Sequence, residues 1–248
     1  GPFAIHPAAW IGEWAIIALA AGFDLSRHLR IKESASSVLL RPAIAMPHVA
    51  VIIPALNEEA AVGGAVSGIR RALANSKCDV IVIDNGSTDR TPEVARAAGA
   101  IVVHQPERGY GAACLAGLAA LPAAANVILF LDADGSDDPD DTSEILGPIL
   151  LGTADMVIGS RMLGRADPGA MTIPQRFGNW LAPMLIRIIW GARITDLGPF
   201  RAVRRDCLDA LAMQDRDYGW TVEMQVRAAK LGMTVCEVPV AYRRRIGV

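Results

Sequence analysis

From residue 48 onward, short runs of β-branched and other apolar residues alternate with longer Ala-rich segments whose apolar positions have helical spacing. The apolar runs are bounded by polar or glycine-containing turns, as strands are. The predicted strands are 48–55, 79–85, 100–105, 126–133 and 155–160. The predicted helices between them are 57–75, 91–98, 111–121 and 140–151. This repetition predicts an α/β fold with a mostly parallel sheet that is covered by helices on both faces.

Polar residues near the first two predicted helices suggest how those helices begin. We expect Asn57 to cap the first helix, with Glu58 and Glu59 in its first turn, where carboxylates are favoured by the helix dipole. We expect Ser87 or Thr88 to cap the second helix.

After residue 161 the alternation weakens. The predicted elements there are helices near 174–190, 206–212 and 219–231 and a last strand at 234–243. We therefore interpret 46–248 as one domain, preceded by an N-terminal extension of unknown role at 1–45.

Acidic and amide groups follow the carboxyl ends of three predicted strands. They are Asn57-Glu58-Glu59 after the first strand, Asp84-Asn85 after the second and Asp132-Ala133-Asp134 after the fourth. In open parallel sheets, ligands bind beyond the carboxyl ends of the strands. We therefore expect these groups to converge on one edge of the sheet and to form the ligand site.

The composition narrows the class of partner and the compartment. With 52% hydrophobic residues, a chain of 248 residues can bury a large core. Its 24 Lys and Arg residues against 26 Asp and Glu residues leave a formal charge of -2, so no nucleic-acid partner is expected. The four cysteines form no CxxC pair, which favours reduced thiols in a cytoplasmic protein. No stretch reaches the roughly 18 uninterrupted apolar residues of a membrane span.

Asp132 and Asp134 are candidate ligands of a divalent cation. Two such carboxylates repel each other unless water or a cation separates them, and oxygen ligands are those that Mg²⁺ prefers. The alternative is a solvated loop at the start of the next helix, which accounts for Asp138, Asp140 and Asp141. It accounts poorly for Asp132 and Asp134, because they belong to the strand end.

Asp84 is interpreted as an acceptor of hydrogen bonds from a nucleotide base or ribose, and the alternative is an ordinary turn through Asn85 and Gly86. The glycines of 109–111 do not fit a dinucleotide-binding fingerprint, because they follow the third strand and Cys114 replaces the last glycine. We expect them to let a loop approach a ligand or the sheet closely.

Several arginines at strand ends or loop starts are candidate phosphate ligands, because a guanidinium group binds phosphate in a bidentate manner. They are Arg161, Arg176, Arg201 and the run Arg243-Arg244-Arg245. The alternative for any single one is a solvated surface residue. The four histidines show no pairing or metal-ligand spacing and receive no role.

Together these motifs resemble the inverting family-two glycosyltransferases with a GT-A fold, in the branch of dolichyl- or polyprenyl-phosphate mannose and glucose synthases. The resemblance covers about residues 49–247. It is carried by VIIPALNEE, DNGSTD, GYG, DADGS, GSR, RFGN, TDLGPFRAVRRD, YGWTVEMQVRAAKLG and EVPVAYRRRIG.

The resemblance implies a nucleotide-sugar-binding fold whose nucleotide and metal half is about 46–160 and whose acceptor half is about 161–248. It implies a donor that is a GDP- or UDP-sugar and an acceptor that is a polyprenyl phosphate. The residues implied for the nucleotide are Pro54, Asn57, Glu59, Asp84, Asn85 and Asp132. Those implied for Mg²⁺ or Mn²⁺ are Asp132, Asp134 and Ser136. Those implied for donor or acceptor phosphates are Arg161, Arg176, Arg201 and Arg243.

The need for a general base depends on the acceptor. A phosphate is already anionic near neutral pH, whereas a sugar or glycerate hydroxyl needs a carboxylate within hydrogen-bond reach. Asp196 and Glu223 are the candidate catalytic residues for a hydroxyl acceptor, and we favour Asp196 because it lies in a loop beside Arg201. The alternative for Glu223 is a helix-surface carboxylate.

Segment 179–194 is amphipathic and has two interpretations. In the first interpretation, the segment lies at a membrane interface with Trp180 and Trp190 as anchors. The protein would then be cytoplasmic and peripheral on the inner face of the membrane. Alternatively, it packs on the core or forms a homodimer contact.

Two other classes of function stay open. A sugar-1-phosphate nucleotidyltransferase would carry a basic, Gly-rich loop after the first strand, where this chain has the acidic PALNEEAAVGG. A non-catalytic nucleotide-sugar-binding protein would keep Asp84 without needing the metal carboxylates.

Overall fold

The structure, a computed structural model, describes residues 41–170, 173–191 and 194–247. The strands in this part of the chain are β1 (His48–Ala55), β2 (Lys77–Asp84), β3 (Ile101–His104), β4 (Val127–Phe130), β5 (Met156–Ala166), β6 (Arg201–Arg204) and β7 (Val235–Tyr242). The helices are α1 (Val62–Ala72), α2 (Thr91–Ala97), α3 (Tyr110–Ala119), α4 (Thr142–Leu150), α5 (Ile173–Trp190), α6 (Arg205–Leu211) and α7 (Trp220–Lys230). A single 3₁₀ turn (Pro139–Asp141) precedes α4.

The strands form one sheet in the order β3-β2-β1-β4-β6-β5-β7. Strands β3, β2, β1 and β4 are parallel neighbours, and β5 is parallel to β7. Strand β6 runs antiparallel to both β4 and β5. The predicted mostly parallel sheet is therefore confirmed, with one inserted antiparallel strand. We did not predict β6, because four residues with an arginine at each end carry little strand signal.

Helices cover both faces of the sheet, as predicted. Along β1 the side chains alternate, so that Val49, Val51 and Ile53 pack towards α1 and α4, whereas Ala50 and Ile52 pack towards α3 and α7. Each large apolar side chain that is fully buried in this way contributes about 1.5–3 kcal/mol to stability. Burial on both faces explains why β1 consists of consecutive apolar residues.

The two capping predictions are wrong. Helix α1 begins at Val62 rather than at residue 57, and Asn57 has a φ of 56° in the preceding loop. Helix α2 begins at Thr91 without a side-chain cap from Ser87 or Thr88. The reason is that these polar side chains bond across the two loops instead of to their own helices.

Residues 41–44 contact the domain, since the backbone N–H groups of Arg41 and Ile44 donate to the carbonyls of Gly152 and Leu150. The rest of the predicted extension, residues 1–40, lies outside the described part of the chain, and the boundary at residue 45 stays a prediction. The described helices include none that is both long and apolar enough to cross a membrane.

Candidate functional site

The predicted polar groups do converge on one edge of the sheet. Strands β2, β1 and β4 are neighbours and run in the same direction, with Ala55 opposite Asp84 and Ile52 opposite Phe130. Their carboxyl ends therefore open onto the same side, and the three following loops lie next to one another. This edge is the candidate functional site.

The loops after β1 and β2 are bonded to each other. The N–H of Asn57 donates to Ser87 Oγ at 3.0 Å, and Asn57 Oδ1 accepts from the N–H of Thr88 at 2.7 Å. Glu59 Oε2 accepts from the N–H of Arg90 at 3.0 Å. Asn57 and Glu59, which we predicted to bind nucleotide, thus hold the wall of the site together, and a role with a ligand stays a prediction.

Asp84 is the last residue of β2 and is bonded to the loop that follows it. Its Oδ1 accepts from the N–H of Ser87 at 2.9 Å, and its Oδ2 lies 2.9 Å from His104 Nδ1. Burial acts to raise the pKa of Asp84, but the hydrogen bonds from Ser87 and His104 outweigh it, so the pKa is lowered below 3.8. Asp84 is therefore held as an ionised hydrogen-bond acceptor.

Asn85 and Pro54 support the site from within. The Asn85 amide donates to the carbonyls of Gln105 and Glu107, and its Oδ1 accepts from the N–H of Gly109 at 2.9 Å. Asn85 thereby fixes the loop that leads into α3. Pro54 is buried near the end of β1.

The glycines before and in α3 let the chain lie close to the loop that contains residues 215–217, rather than to the sheet. A side chain at Gly109 or Gly111 would place its Cβ 2.2 Å from the carbonyl oxygen of Arg216 or Asp215. The N–H of Gly111 and that of Ala112 also donate to carbonyls of this loop.

The turn after β4 concentrates carboxylates. Asp132 Oδ1 accepts from the Tyr110 hydroxyl at 3.1 Å, and Asp134 Oδ1 accepts from the N–H and Oγ of Ser136 at 2.9 and 2.6 Å. Burial, followed by the charge of Asp134, raises the pKa of Asp132 to about 7. The turn thus holds negative charge that a cation would stabilise.

Asp137 is a buried member of this turn that we did not predict. Its Oδ2 accepts from the N–H of Asp132 at 3.1 Å, while its Oδ1 is buried without a hydrogen-bond partner. Burial, followed by the charge of Asp132, raises the pKa of Asp137 well above 3.8. The only signal for it in the sequence is its place in a run of acids.

Within the described residues, no group of three or more His, Cys, Asp and Glu side chains is arranged as a metal centre. The donor set nevertheless fits Mg²⁺ or Mn²⁺, because such sites use one or two carboxylates and complete their coordination with water and substrate phosphates. The raised pKa of Asp132 and the unpartnered Oδ1 of Asp137 both indicate an unbalanced negative environment at this turn.

The segment after β7 brings the positively charged guanidinium of Arg245 to the same turn. Arg245 Nη2 donates to Glu58 Oε1 at 2.7 Å, and its Nε lies 3.3 Å from Asp134 Oδ2. We expected Glu58 at this edge together with Asn57 and Glu59, and Arg245 among the arginines at the end of the last strand, but we assigned neither of them a ligand. The signal for Arg245 was the run of three arginines at 243–245, but the run does not show which member reaches the carboxylates.

Arg161 and Asp196 form a buried ion pair. Asp196 Oδ2 accepts from the backbone N–H and the Nε of Arg161 at 2.7 and 2.8 Å, and Oδ1 accepts from its Nη2 at 2.6 Å. Asp196 is 0% exposed and Arg161 is 8% exposed, and the guanidinium lies 4.9 Å from the ring centroid of Tyr242. To act as a base, Asp196 would have to leave this pair.

Glu223 and Arg201 are bonded to backbone groups. The carboxylate of Glu223 accepts from the N–H groups of Gln214 and Asp215 and from Arg227 Nε. Arg201 is 1% exposed, and its guanidinium donates to several backbone carbonyls, including that of Thr221 at 3.2 Å. Burial lowers the pKa of Arg201 to about 10. Both side chains hold loops in place, and the phosphate contact of Arg201 and the general-base role of Glu223 stay predictions.

The two remaining predicted arginines differ in what can be said of them. Arg243 is exposed and forms an ion pair with Asp138, and its N–H donates to the carbonyl of Ser136 at 2.7 Å. Arg176 belongs to α5, and its side chain lies outside the described part of the structure.

The glycosyl transferase family 2 profile matches residues 50–212, which is well over half of the chain. This chain belongs to glycosyl transferase family 2. The resemblance read from the motifs is thereby confirmed, as is the enzyme class of a glycosyltransferase. The nucleotidyltransferase and the non-catalytic alternatives have no support.

Relatives with assigned names lie in the expected branch. The chain is 34% identical over 208 residues to the undecaprenyl-phosphate mannosyltransferase of Micrococcus luteus, covering 79% of this chain and 84% of the relative. It is 34% identical over 201 residues to the dolichyl-phosphate hexose transferase of Haloferax volcanii, covering 80% and 84%. It spans only about half (49%) of another relative, the low-salt glycan biosynthesis hexosyltransferase of the same organism, at 31% identity over 81% of this chain.

Solved structures confirm the GT-A-like fold. Glucosyl-3-phosphoglycerate synthase from Mycobacterium tuberculosis in complex with phosphoglyceric acid superposes with a TM-score of 0.66 at 26% identity, covering 82% of this chain and 73% of that one. A complex of the same enzyme with Mn²⁺, uridine diphosphate and glucosyl-3-phosphoglycerate gives 0.62 at 25% identity, covering 82% and 72%.

Proposed function

We propose that this protein transfers a hexose from a nucleotide diphosphate sugar to a polyprenyl phosphate, with inversion at the anomeric carbon. The observation that carries the choice of acceptor is the state of the two candidate bases. Asp196 is buried in its ion pair with Arg161, and Glu223 is bonded to loop amides. An acceptor that is already anionic needs neither of them. The names of the Micrococcus and Haloferax relatives support the same acceptor class.

The donor would bind along the edge formed by β2, β1 and β4. Asp84 supplies an ionised acceptor for the base or ribose, and Pro54, Asn57, Glu59 and Asn85 form the wall around it. GDP- and UDP-sugars are both candidate donors, and the mycobacterial complex with uridine diphosphate supports the second.

Asp132 and Asp134, with the Ser136 hydroxyl, would hold Mg²⁺ or Mn²⁺ against the donor diphosphate. When bound, such an ion supplies Lewis-acid stabilisation of the negative charge on the leaving nucleoside diphosphate. The protein's own contribution is to hold the carboxylates, through Tyr110 on Asp132 and through the backbone of Ser136 on Asp134.

The acceptor phosphate would be bound by arginines of the second half of the domain. Arg243 is exposed beside the carboxylate turn, and Arg161 lies next to Tyr242, which pairs with Asp137 of that turn. Arg176 is included on the resemblance alone. We leave Arg201 in its structural role.

A hydroxyl acceptor is the second candidate function. The supporting observation is the similarity to a synthase crystallised with phosphoglyceric acid. With this acceptor, a carboxylate such as Asp196 or Glu223 would have to be released to act as the general base.

We further propose that the protein is peripheral on the cytoplasmic face of a membrane, where a polyprenyl phosphate is accessible. Ile188 of α5 is 71% exposed and Trp180 is 60% exposed, and both lie on the helix side that also carries Arg187. Trp190, the second predicted anchor, instead packs against the apolar cluster that includes Ile186, and its ring lies 5.9 Å from Lys230 Nζ. The homodimer stays an alternative use of this helix.

The test is a product assay with radiolabelled GDP-mannose, UDP-glucose and their hexose isomers, each with Mn²⁺. We expect label to pass into the organic phase with undecaprenyl or dolichyl phosphate, and this transfer to stop with EDTA or in Asp134→Asn. Label that moves only to phosphoglycerate or to a glycan hydroxyl would favour the second candidate. Absence of transfer from every donor to every acceptor would contradict the proposed function.

A further inference from the structure

The segment 242–246 lies along the carboxylate turn like an added strand. Tyr242 pairs with Asp137, the N–H of Arg243 donates to the carbonyl of Ser136, and the N–H of Ile246 donates to that of Asp134 at 2.8 Å. The backbone of the segment is therefore fixed to the turn, and the side chain of Arg245 is delivered to it.

Arg245 joins two carboxylates from different loops. Its guanidinium bonds to Glu58 after β1 and lies against Asp134 after β4, and both carboxylates belong to residues that are 8% exposed. Asp134 Oδ1 is already bonded to Ser136, so the oxygen that Arg245 approaches is the remaining one, Oδ2. Each carboxylate oxygen has two lone pairs, so a metal bound at Oδ2 would share this oxygen with Arg245.

We propose that Arg245 is an internal counter-ion that occupies Asp134 in the donor-free enzyme and gives up this carboxylate when the divalent cation binds. The inference rests on the proposed function for its metal site. A cation coordinated by Asp134 would lie about 2.1 Å from the carboxylate oxygen, so its charge and that of the guanidinium would be only a few ångströms apart. Repulsion at such a distance excludes both from Oδ2, while Glu58 keeps Arg245 close by.

Two consequences follow for this chain. Arg245 lowers the affinity of the site for a free cation, because metal binding must break the contact with Asp134. It also stabilises the carboxylates while no metal is bound, since Glu58 and Asp134 would otherwise lie uncompensated in a poorly solvated place.

The experiment measures Mn²⁺ binding by electron paramagnetic resonance of the free ion, without nucleotide, so that turnover plays no part. Arg245→Gln removes the charge and is expected to tighten Mn²⁺ binding by about tenfold. Arg245→Lys restores the charge and should return the dissociation constant towards that of the wild type.

The matched control is Arg244→Gln. It removes the same charge from the neighbouring position, where the guanidinium donates to the carbonyl of Pro168 and not to Asp134. We expect its effect on the Mn²⁺ dissociation constant to be less than about twofold, because exposed charges are screened. Thermal unfolding without metal checks that each variant is folded.

The outcomes separate this inference from the proposed function. Unchanged or weaker Mn²⁺ binding in folded Arg245→Gln, with normal binding in the wild type, would overturn the counter-ion role and leave the metal site intact. Equal tightening in Arg244→Gln would overturn it as well, because the effect would be a general one of charge. If the wild type and Asp134→Asn bound Mn²⁺ equally, the metal site itself would be wrong, and the inference would fall with it.

Discussion

The ion pair between Arg161 and Asp196 permits a prediction that separates a structural from a catalytic aspartate. In Asp196→Asn the shape of the side chain is kept, but Arg161 remains buried without its counter-charge. Removal of one partner of a buried pair costs about 3–5 kcal/mol. Three hydrogen bonds from Arg161 converge on this carboxylate, and the aspartate is completely buried, so the site belongs in that range.

For a domain of this size, each kcal/mol lost lowers the melting temperature by roughly 2–4 °C. We therefore expect Asp196→Asn to melt about 6–12 °C below the wild type, taking a loss of about 3 kcal/mol. The assay is thermal unfolding followed by circular dichroism without ligands. Asp209→Asn is the matched control, because Asp209 pairs with Arg205 at the surface and is expected to change stability by less than about 1 kcal/mol.

A double variant tests the cause of the loss. When both charges are replaced by apolar groups, as in Arg161→Met with Asp196→Leu, no uncompensated charge stays buried, and part of the stability should return. If Asp196→Asn instead melts within about 1 °C of the wild type while sugar transfer to a hydroxyl acceptor collapses, the structural reasoning is refuted. The general-base role of Asp196 would then be the better explanation.

Two further predictions concern the walls of the site. Gly109→Ala should lower the free energy of unfolding, measured in urea, by about 2 kcal/mol or more, because φ is 143° there and the new Cβ would lie 2.2 Å from the Arg216 oxygen. The control is Gly64→Ala, in open space within α1, which should stabilise the protein slightly. Equal effects of the two substitutions would contradict the prediction. Asp84→Asn should destabilise the protein at pH 7. Because the pKa of Asp84 is lowered on folding, its contribution is present above the unfolded-state pKa and is lost as the pH falls through the folded-state value. The difference in unfolding free energy between the Asp84→Asn variant and the wild type, measured in urea, should therefore vanish as the pH falls below about 3.8, and a constant difference down to about pH 2 would refute it.

Local patterns predicted every described helix and every described strand except β6, because each of these elements carries its own periodicity. Every described helix except α1 begins within about two residues of its predicted start, including α3 at Tyr110 and α5 at Ile173. Where a local rule competed with a long-range bond, the local rule failed. Asn57 has the side chain of a helix cap, but its Oδ1 accepts a hydrogen bond from the N–H of Thr88, 31 residues away, instead of from its own helix.

The candidate site likewise has features that the sequence predicted and features that depend on long-range contacts. The place of Asp84, Asp132 and Asp134 followed from the sequence, because parallel strands put their carboxyl ends on one edge. The partners of the arginines did not. Arg161, Arg201 and Arg243 have the same chemistry in the sequence, yet one pairs with a buried aspartate, one bonds to carbonyls and one remains exposed.

By itself, the sequence determined the alternation of strands and helices, the edge of the sheet on which the polar groups converge, and the family. These depend on periodicity and on motifs that are read within a few residues. Only the tertiary structure decided that Asp196 is committed to Arg161 over 35 residues, and that Arg245 reaches Glu58 over 187 residues. The physical reason is that a charged side chain takes the partner that burial and geometry bring to it, and both are properties of the folded chain.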